Sequence, residues 1–266
     1  PCFDTKILDD QQKNSSQLFK VNASYTIDDD KLVYATFSQG YRPGGVNRAR
    51  VPGIPKYVED NIDNYEFGWK TQWADNRVRF NGALYAFLDF AVSNLTIIQN
   101  VGGSRTYGAE FDLVVDATDD LRLSLSASYN DAKLTTEYRR SATGPLLAPV
   151  GAAMPFVPKI QLSAIARQSI NVAEMPGYVQ ASLTHSSFSY SDLDTTKTNR
   201  RQDAYTLVNL SAGIEKGNMT FSVFADNVLD TRAQIAIYDP GYDSALDRTQ
   251  ATNRPRTFGF RFGQRF

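Results

Sequence analysis

Polar and apolar residues alternate strictly along several long stretches of this sequence, and this alternation constrains the fold more than any other feature. In the segment 121–129, Leu, Leu, Leu, Ala and Tyr occupy the odd positions, whereas Arg and three Ser occupy the even ones. The segment 77–90 alternates in the same way. Successive side chains of a strand point to opposite faces, so a period of two gives one apolar and one polar face. The alternation therefore predicts an all-β fold.

Eleven segments show strand character, and most are about 10–14 residues long, which exceeds the mode of about 5–6 residues in globular proteins. A tilted strand needs about 9–11 residues to cross the hydrocarbon of a membrane. Strand length therefore favours a transmembrane antiparallel β-barrel over a soluble sandwich. The predicted strands are 16–27, 31–41, 63–74, 77–90, 105–117, 121–134, 159–170, 177–189, 204–215, 219–228 and 256–266.

The connections between these segments alternate between short and long. Short ones are turns of a few residues, such as 216–218, whereas long ones include 42–62, 135–158 and 229–255. Outer-membrane barrels have short periplasmic turns and long extracellular loops. Every short turn is therefore assigned to the periplasm, and residues 1–15 to an extracellular loop.

An odd number of strands predicts that further strands lie upstream. Closed bacterial barrels of one chain have an even number of strands, and an open edge in lipid would leave backbone groups without hydrogen bonds. The first residue is Pro rather than Met, and the first ten residues do not resemble a signal peptide. We therefore expect residues 1–266 to be a partial barrel domain, the C-terminal strands of a larger barrel of about 22 strands.

Charge and composition argue against several functional classes. The net charge of −1 gives no electrostatic case for a nucleic-acid partner. One Cys cannot form an internal disulfide or a Cys-based zinc cluster, and the one His, His185, supports neither a two-histidine metal site nor a Ser-His-Asp set. The sequence has no phosphate loop, dinucleotide fingerprint or nucleophile elbow. We therefore predict no cofactor, no metal site and no catalytic residues, and do not expect an enzyme.

The chain ends in an amphipathic segment with aromatic residues on one face. The aromatic residues are Phe258, Phe260, Phe262 and Phe266. This segment resembles the C-terminal signal of outer-membrane barrels, and the resemblance implies recognition by the barrel-assembly machinery. The competing interpretation is a soluble edge strand that ends in Phe by chance.

Five segments, in order along the chain, resemble the C-terminal half of TonB-dependent receptors. In 65–71, Tyr65, Glu66, Gly68 and Lys70 match the family's tyrosine–glutamate–x–glycine–x–lysine strand. The other matches are a strand that enters a Gly/Pro-rich loop, a glycine–x–glutamate element, an asparagine–leucine–aspartate segment and the start of the last strand. These four are 34–45, 108–110, 226–230 and 255–260. The chain departs from the family pattern at 231–233, where a tyrosine is often found.

The resemblance implies a bacterial outer-membrane receptor that actively takes up a scarce nutrient. Ferric siderophores are the most common ligands of the family, although haem, cobalamin and oligosaccharide importers share the same barrel. The resemblance also implies an upstream plug domain and a segment that binds the TonB complex. Three alternatives stay open: a passive porin without a plug, an outer-membrane lipase or protease, and a soluble carbohydrate-binding sandwich.

Two groups of residues are candidates for functional contacts. Arg guanidinium groups pair well with anionic oxygens, so the loop 42–62 is a candidate for binding an anionic ferric siderophore. The alternative is that its basic groups pair with lipopolysaccharide phosphates or keep the loop soluble. The candidate ligand-binding residues are Tyr41, Arg42, Arg48, Arg50 and Tyr57.

A second group of charges is expected to face the lumen, where they contact the plug or are solvated, because the lumen of large barrels is polar. These lumen candidates are Glu66, Lys70, Arg77, Arg79, Arg105, Glu110 and Asp112. Aromatic residues near strand ends are interpreted as girdles at the two membrane interfaces. They are Tyr34, Tyr41, Trp69, Trp73, Tyr85, Tyr129, Tyr178 and Tyr205.

Overall fold

The computed structural model describes residues 12–46, 56–93, 99–139, 143–197, 200–238 and 249–265. These residues form seventeen strands. The strands are β1 (Lys20–Asp28), β2 (Lys31–Arg42), β3 (Asp60–Trp73), β4 (Val78–Ser93), β5 (Gln99–Asp116), β6 (Leu121–Leu134), β7 (Tyr138–Arg139), β8 (Leu146–Ala148), β9 (Ile160–Val172), β10 (Met175–Ser186), β11 (Ser189–Tyr190), β12 (Arg201–Gln202), β13 (Tyr205–Lys216), β14 (Met219–Asp226), β15 (Gln234–Tyr238), β16 (Thr249–Thr252) and β17 (Thr257–Gln264). Within the residues so described, no helix is long and apolar enough to cross a membrane.

Eleven long strands form one antiparallel sheet in the order β1-β2-β3-β4-β5-β6-β9-β10-β13-β14-β17. Each long strand pairs with the next long strand in the sequence. The eleven predicted strands and the all-β class are therefore confirmed. The strands β1 and β17 are the edges of the sheet and do not pair with each other. The sheet is thus an open wall rather than a closed barrel.

The alternation of short and long connections is also confirmed. Ala173 and Glu174, which join β9 to β10, both have positive φ angles of 49° and 64°, as a two-residue type I′ turn requires. The long connections contain three short hairpins that the sequence did not predict, β7–β8, β11–β12 and β15–β16. Their strands have two to five residues, too few for alternation to be recognised.

The register keeps the apolar residues on a single face of the whole sheet. Val21 lies opposite Phe37, which lies opposite Tyr65, and strand-by-strand pairing carries the same face of the sheet to its far edge at β17. There the apolar face ends in three highly exposed aromatic side chains: Phe258, Phe260 and Phe262. An apolar surface of this extent, with charged residues only towards the ends of its strands, fits contact with lipid rather than with water. We call this the outer face and the opposite one the inner face.

Aromatic rings cover glycines that lie directly opposite on neighbouring strands of the inner face. The pairs are Tyr34 with Gly68, Tyr85 with Gly108, Tyr178 with Gly213 and Phe224 with Gly259. A Cβ atom at Gly68 would lie 2.4 Å from Cζ of Tyr34, so the ring needs a glycine beneath it. The girdle interpretation is therefore wrong for the tyrosines at 34, 85 and 178, and also for Tyr205, because all four lie on the inner face.

The long loops after β6 and β10 pack against each other. Leu134, Ala148, Ala152 and Leu193 form a small buried cluster, against which Tyr138 and Met154 pack. The backbone N–H of Thr195 also donates to the carbonyl of Leu147 at 2.7 Å. These two loops therefore have a core of their own above the sheet.

The segment after β14 is fixed by hydrogen bonds of two side chains. The buried Asn227 donates to the carbonyls of Thr231 and Arg254 at 3.0 and 3.1 Å, and accepts from the N–H of Thr231. Asp230 accepts from the backbone N–H of Arg256 at 3.0 Å, and this bond lowers the pKa of the Asp230 carboxyl. These bonds explain why asparagine and aspartate stand at these positions.

The assignment of faces predicts opposite results for arginine at two adjacent positions of β6. Leu125 lies in the middle of an outer-face row, whereas Ser124 belongs to the inner face. In the complete barrel in lipid vesicles, we expect Leu125→Arg to lower the free energy of unfolding by about 2–4 kcal/mol. Ser124→Arg should change it much less, because the inner face is polar. Urea titration measures both, and equal losses would contradict the assignment.

The aromatic–glycine pairing predicts an energetic coupling between Tyr34 and Gly68. The variant Gly68→Ala should lower the free energy of unfolding by about 1–3 kcal/mol, because the added methyl group overlaps the tyrosine ring. In a Tyr34→Ala background the same change should cost much less. A double-mutant cycle measures this coupling, and an equal cost in both backgrounds would show that the ring does not cover the glycine.

Candidate functional site

Carboxylates and tyrosines share the inner face of strands β2 to β6. The hydroxyl of Tyr34 donates to Oε1 of Glu66 at 2.6 Å, and the hydroxyl of Tyr85 donates to Oδ1 of Asn130 at 2.6 Å. Glu66 lies opposite Tyr85, and Glu110 is two residues from the glycine that this ring covers. Tyr34 therefore connects the adjacent strands β2 and β3 and holds the carboxylate of Glu66 in place, whereas Tyr85 reaches past β5 to Asn130 of β6.

The register places five of the seven lumen candidates on the inner face. They are Glu66, Lys70, Arg79, Glu110 and Asp112. The side-chain hydroxyl of Ser126 donates to Asp112 across the strand pair. That these charges contact a plug stays a prediction.

Two other lumen candidates lie elsewhere. Arg77 precedes β4 at the end of the sheet that carries the short turns, where its Nε donates to the carbonyl of Asp116 at 3.1 Å and its guanidinium lies 3.5 Å from Asp119. The inward assignment of Arg105 is wrong, because it lies opposite Leu88 on the outer face. Arg105 and Glu110 are five positions apart along β5. Because side chains alternate between the two faces of a strand, an odd spacing places the two residues on opposite faces.

The ligand candidates of the loop after β2 have structural contacts of their own. Arg42 pairs with the buried carboxylate of Asp60, with Nε 3.0 Å from Oδ2. Tyr57 forms two backbone hydrogen bonds with Gly45, of 3.0 and 3.1 Å. Tyr41 belongs to an outer-face row. These contacts favour a role of Arg42 and Tyr57 in holding the base of the loop.

The remaining ligand candidates, Arg48 and Arg50, lie outside the described residues. Ligand binding by any of the five candidates stays a prediction. Among the residues that the structure describes, no group of three or more His, Cys, Asp or Glu side chains is placed to hold a metal ion. His185 lies on the outer face near the end of β10, with Nδ1 2.9 Å from the hydroxyl of Thr206.

A cluster of two arginines and two aromatic rings lies at the β11–β12 hairpin, and sequence reasoning did not find it. The guanidinium of Arg200 lies 4.0 Å from the ring centre of Tyr190, and that of Arg201 lies 4.4 Å from the ring centre of Phe188. The two rings meet edge to face with centres 5.9 Å apart. We call these four residues the aromatic–arginine cluster. Cations and rings together can bind a planar anionic ligand.

The sequence signal for this cluster is weak. Two aromatic residues at 188 and 190 and an arginine pair at 200–201 flank a polar stretch. Only the pairing of Ser189 with Gln202 and of Tyr190 with Arg201 brings them together. Residues that are distant along a long loop give no sequence signal of such a contact.

A family model described as the β-barrel of TonB dependent receptor-like proteins matches residues 4–228. Several solved structures have the same fold. The ferric yersiniabactin uptake receptor FyuA from Yersinia pestis superposes with a TM-score of 0.75 and 22% identity, over 91% of this chain and 36% of its own. The siderophore receptor PiuA from Acinetobacter baumannii gives a TM-score of 0.72 and 18% identity, over 91% and 35%.

The closed form of the ferric-catecholate import receptor Fiu from E. coli K12 gives a TM-score of 0.69 and 18% identity, over 91% of this chain and 34% of its own. The chain thus spans about a third of the length of the solved receptors that it matches. Those receptors are outer-membrane proteins, and the family consists of transport receptors. The chain belongs to the TonB-dependent receptor family, and it forms part of the family's β-barrel in the outer membrane.

Proposed function

We propose that this chain is the C-terminal half of the barrel of a receptor that imports a ferric siderophore with energy delivered by the TonB complex. The observation that carries the proposal is the match of 91% of the chain to receptors named for ferric yersiniabactin, a siderophore and ferric catecholates. These ligands belong to the matched receptors. The sequence identity of this chain to them is 22% or less.

The two open edges of the sheet support a larger barrel in the complete protein. Backbone groups of β1 and β17 cannot stay unpaired in lipid, where no water replaces the missing hydrogen bonds. We propose that upstream strands pair with both edges and close a barrel of about 22 strands. A plug domain and the segment that binds TonB would precede those strands.

The inner carboxylates are proposed to contact this plug. Glu66 is positioned by the hydroxyl of Tyr34, and Glu110 shares its face. A carboxylate oxygen that is fixed by one hydrogen bond can accept another from a cationic group on the plug. The alternative role, the solvation of a water-filled lumen, needs no such positioning.

The aromatic–arginine cluster is proposed to contact the siderophore. Iron-binding groups of siderophores are planar and anionic, so rings and guanidinium groups suit them. Arg42 is a weaker candidate, because its carboxylate partner Asp60 is buried, whereas Asp203, 3.2 Å from Nε of Arg201, is exposed to solvent.

Two further partners are proposed for the complete receptor. The barrel-assembly machinery would recognise the last strand through Phe258, Phe260 and Phe262, which lie exposed on the outer face. Phe266, the fourth residue of this predicted signal, lies outside the described residues. Lipid and lipopolysaccharide would surround the outer face. We propose no catalytic activity.

Replacement of both cluster arginines tests the proposed ligand site. In the complete receptor, we expect Arg200→Ala/Arg201→Ala to weaken binding of ferric siderophore by about tenfold or more, through loss of two cationic contacts. Binding of radioactive iron–siderophore to whole cells measures this affinity. The matched control is Arg139→Ala/Arg232→Ala, which removes the same charge from exposed loop positions.

The control variant should bind as the wild type does. Equal affinities of the two double variants would contradict the role of the cluster. Deletion of TonB should abolish uptake of the bound siderophore. Uptake that continues without TonB would instead identify a passive channel.

A further inference from the structure

Four charged side chains meet at the extracellular end of β5 and β6. On the outer face of this strand pair, Arg105 lies directly opposite Lys133, and Tyr107 lies opposite Asp131. The ammonium of Lys133 is 2.8 Å from Asp131, and that of Lys159, which immediately precedes β9, is 3.7 Å from the same carboxylate. We call Arg105, Lys133, Lys159 and Asp131 the outer basic cluster.

The depth of this cluster follows from its position on β5. Apolar residues occupy the outer face of β5 from Val115 to Tyr107, and Arg105 is the next outer-face residue. Arg105 lies ten positions from Val115 along the strand. Ten residues span about 33 Å of strand, or about 25 Å along the membrane normal at a tilt of about 40°. Because the apolar band of such barrels is about 25 Å tall, Arg105 lies at its extracellular edge.

Aromatic residues mark the same boundary. Tyr107 and Tyr129 occupy outer-face positions just below the cluster, and each is 46% exposed. The guanidinium of Arg105 lies 5.4 Å from the ring centre of Tyr107. Tyrosines of this kind form the interfacial girdle of membrane barrels. The cluster therefore faces the headgroup layer of the outer leaflet, rather than hydrocarbon or the lumen.

The charges of the cluster are not balanced among themselves. Three cations share one carboxylate, and Asp131 is already bound to Lys133 at 2.8 Å. Like charges directly opposite each other on a strand pair, here Arg105 and Lys133, destabilise the pair. An external anion between them would remove this repulsion. Arginine and lysine are both suited to phosphate, the first through paired N–H donors and the second as a point charge.

We propose that the outer basic cluster binds a phosphate group of lipopolysaccharide, through the lipid A part that lies in the outer leaflet. Charge complementarity and depth both favour this lipid, because a headgroup phosphate belongs at the edge of the hydrocarbon, where the strand geometry places Arg105 and Lys133. The site is on the opposite face of the wall from the inner-face carboxylates Glu66 and Glu110. The proposed lipid site requires that the barrel lies in the outer membrane, but it does not require any particular imported ligand.

A second outward cation serves as a matched control at the other end of the sheet. Lys31 belongs to an outer-face row at the periplasmic end of β2, where its ammonium lies 4.4 Å from the ring centre of Trp73. It also pairs with Asp28 at 2.7 Å. Lys31 thus has an aromatic and an acidic partner, as Arg105 and Lys133 do, but faces the leaflet that contains phospholipid.

The test compares lipid A binding by the complete receptor and its variants. Each protein is reconstituted in phosphatidylcholine vesicles with increasing amounts of lipid A, either with its phosphates or after their removal. We expect Arg105→Gln/Lys133→Gln to lower the affinity for phosphorylated lipid A by about tenfold or more. Lys31→Gln should bind as the wild type does, and lipid A without phosphates should bind all three proteins equally weakly.

Three results would overturn the proposal. The first is unchanged affinity of the double variant for phosphorylated lipid A, and the second is an equal loss for Lys31→Gln. The third is binding of inorganic phosphate alone as tightly as lipid A, which would identify a site for free phosphate. Unaltered heat-dependent mobility in electrophoresis and unaltered siderophore binding show that each variant is folded. Siderophore binding also separates this proposal from the transport function, since either can fail alone.

Discussion

The structure depends on a cross-strand register that stays in phase through eleven strands. In lipid, every backbone group needs a partner within the sheet, and a shift of one residue moves all side chains of a strand to the other face. A shift between β4 and β5 would turn Glu110 and Asp112 to lipid and Leu113 to the lumen. The register therefore decides which residues can meet a plug and which can meet lipid.

Much of the wall could be predicted from sequence, because alternation persists for ten or more residues in each strand. The errors concern which face or neighbour a residue has. The charge of Arg105 alone predicts a position in the lumen, whereas its even spacing from Phe111 along β5 places it on the outer face. Tyr34 and Tyr85 were interpreted as interfacial from their residue type. Their real partners are glycines on the next strand, and cross-strand pairing cannot be read from one segment.

The loops were much less predictable, because their order comes from tertiary contacts. Leu134 and Leu193 meet in one buried cluster although 58 intervening residues separate them in sequence. The aromatic–arginine cluster depends on the pairing of β11 with β12, two strands of two residues each. Conversely, Arg42 was a reasonable anion-binding candidate until its pairing with the buried Asp60 was known. A basic residue in a loop is a sound candidate for anion binding only after the positions of nearby acidic residues are known.

The most direct test of the two-faced wall is the lipid accessibility of consecutive positions on β5. Single cysteines at positions 108–115, in the complete receptor with every native cysteine, including Cys2, replaced by Ser, would carry spin labels in lipid vesicles. Collision with oxygen dissolved in the lipid should be frequent at the odd positions, which include Phe111 and Leu113, and infrequent at the even ones, which include Glu110. Accessibility without a period of two, or with the faces reversed, would contradict the account.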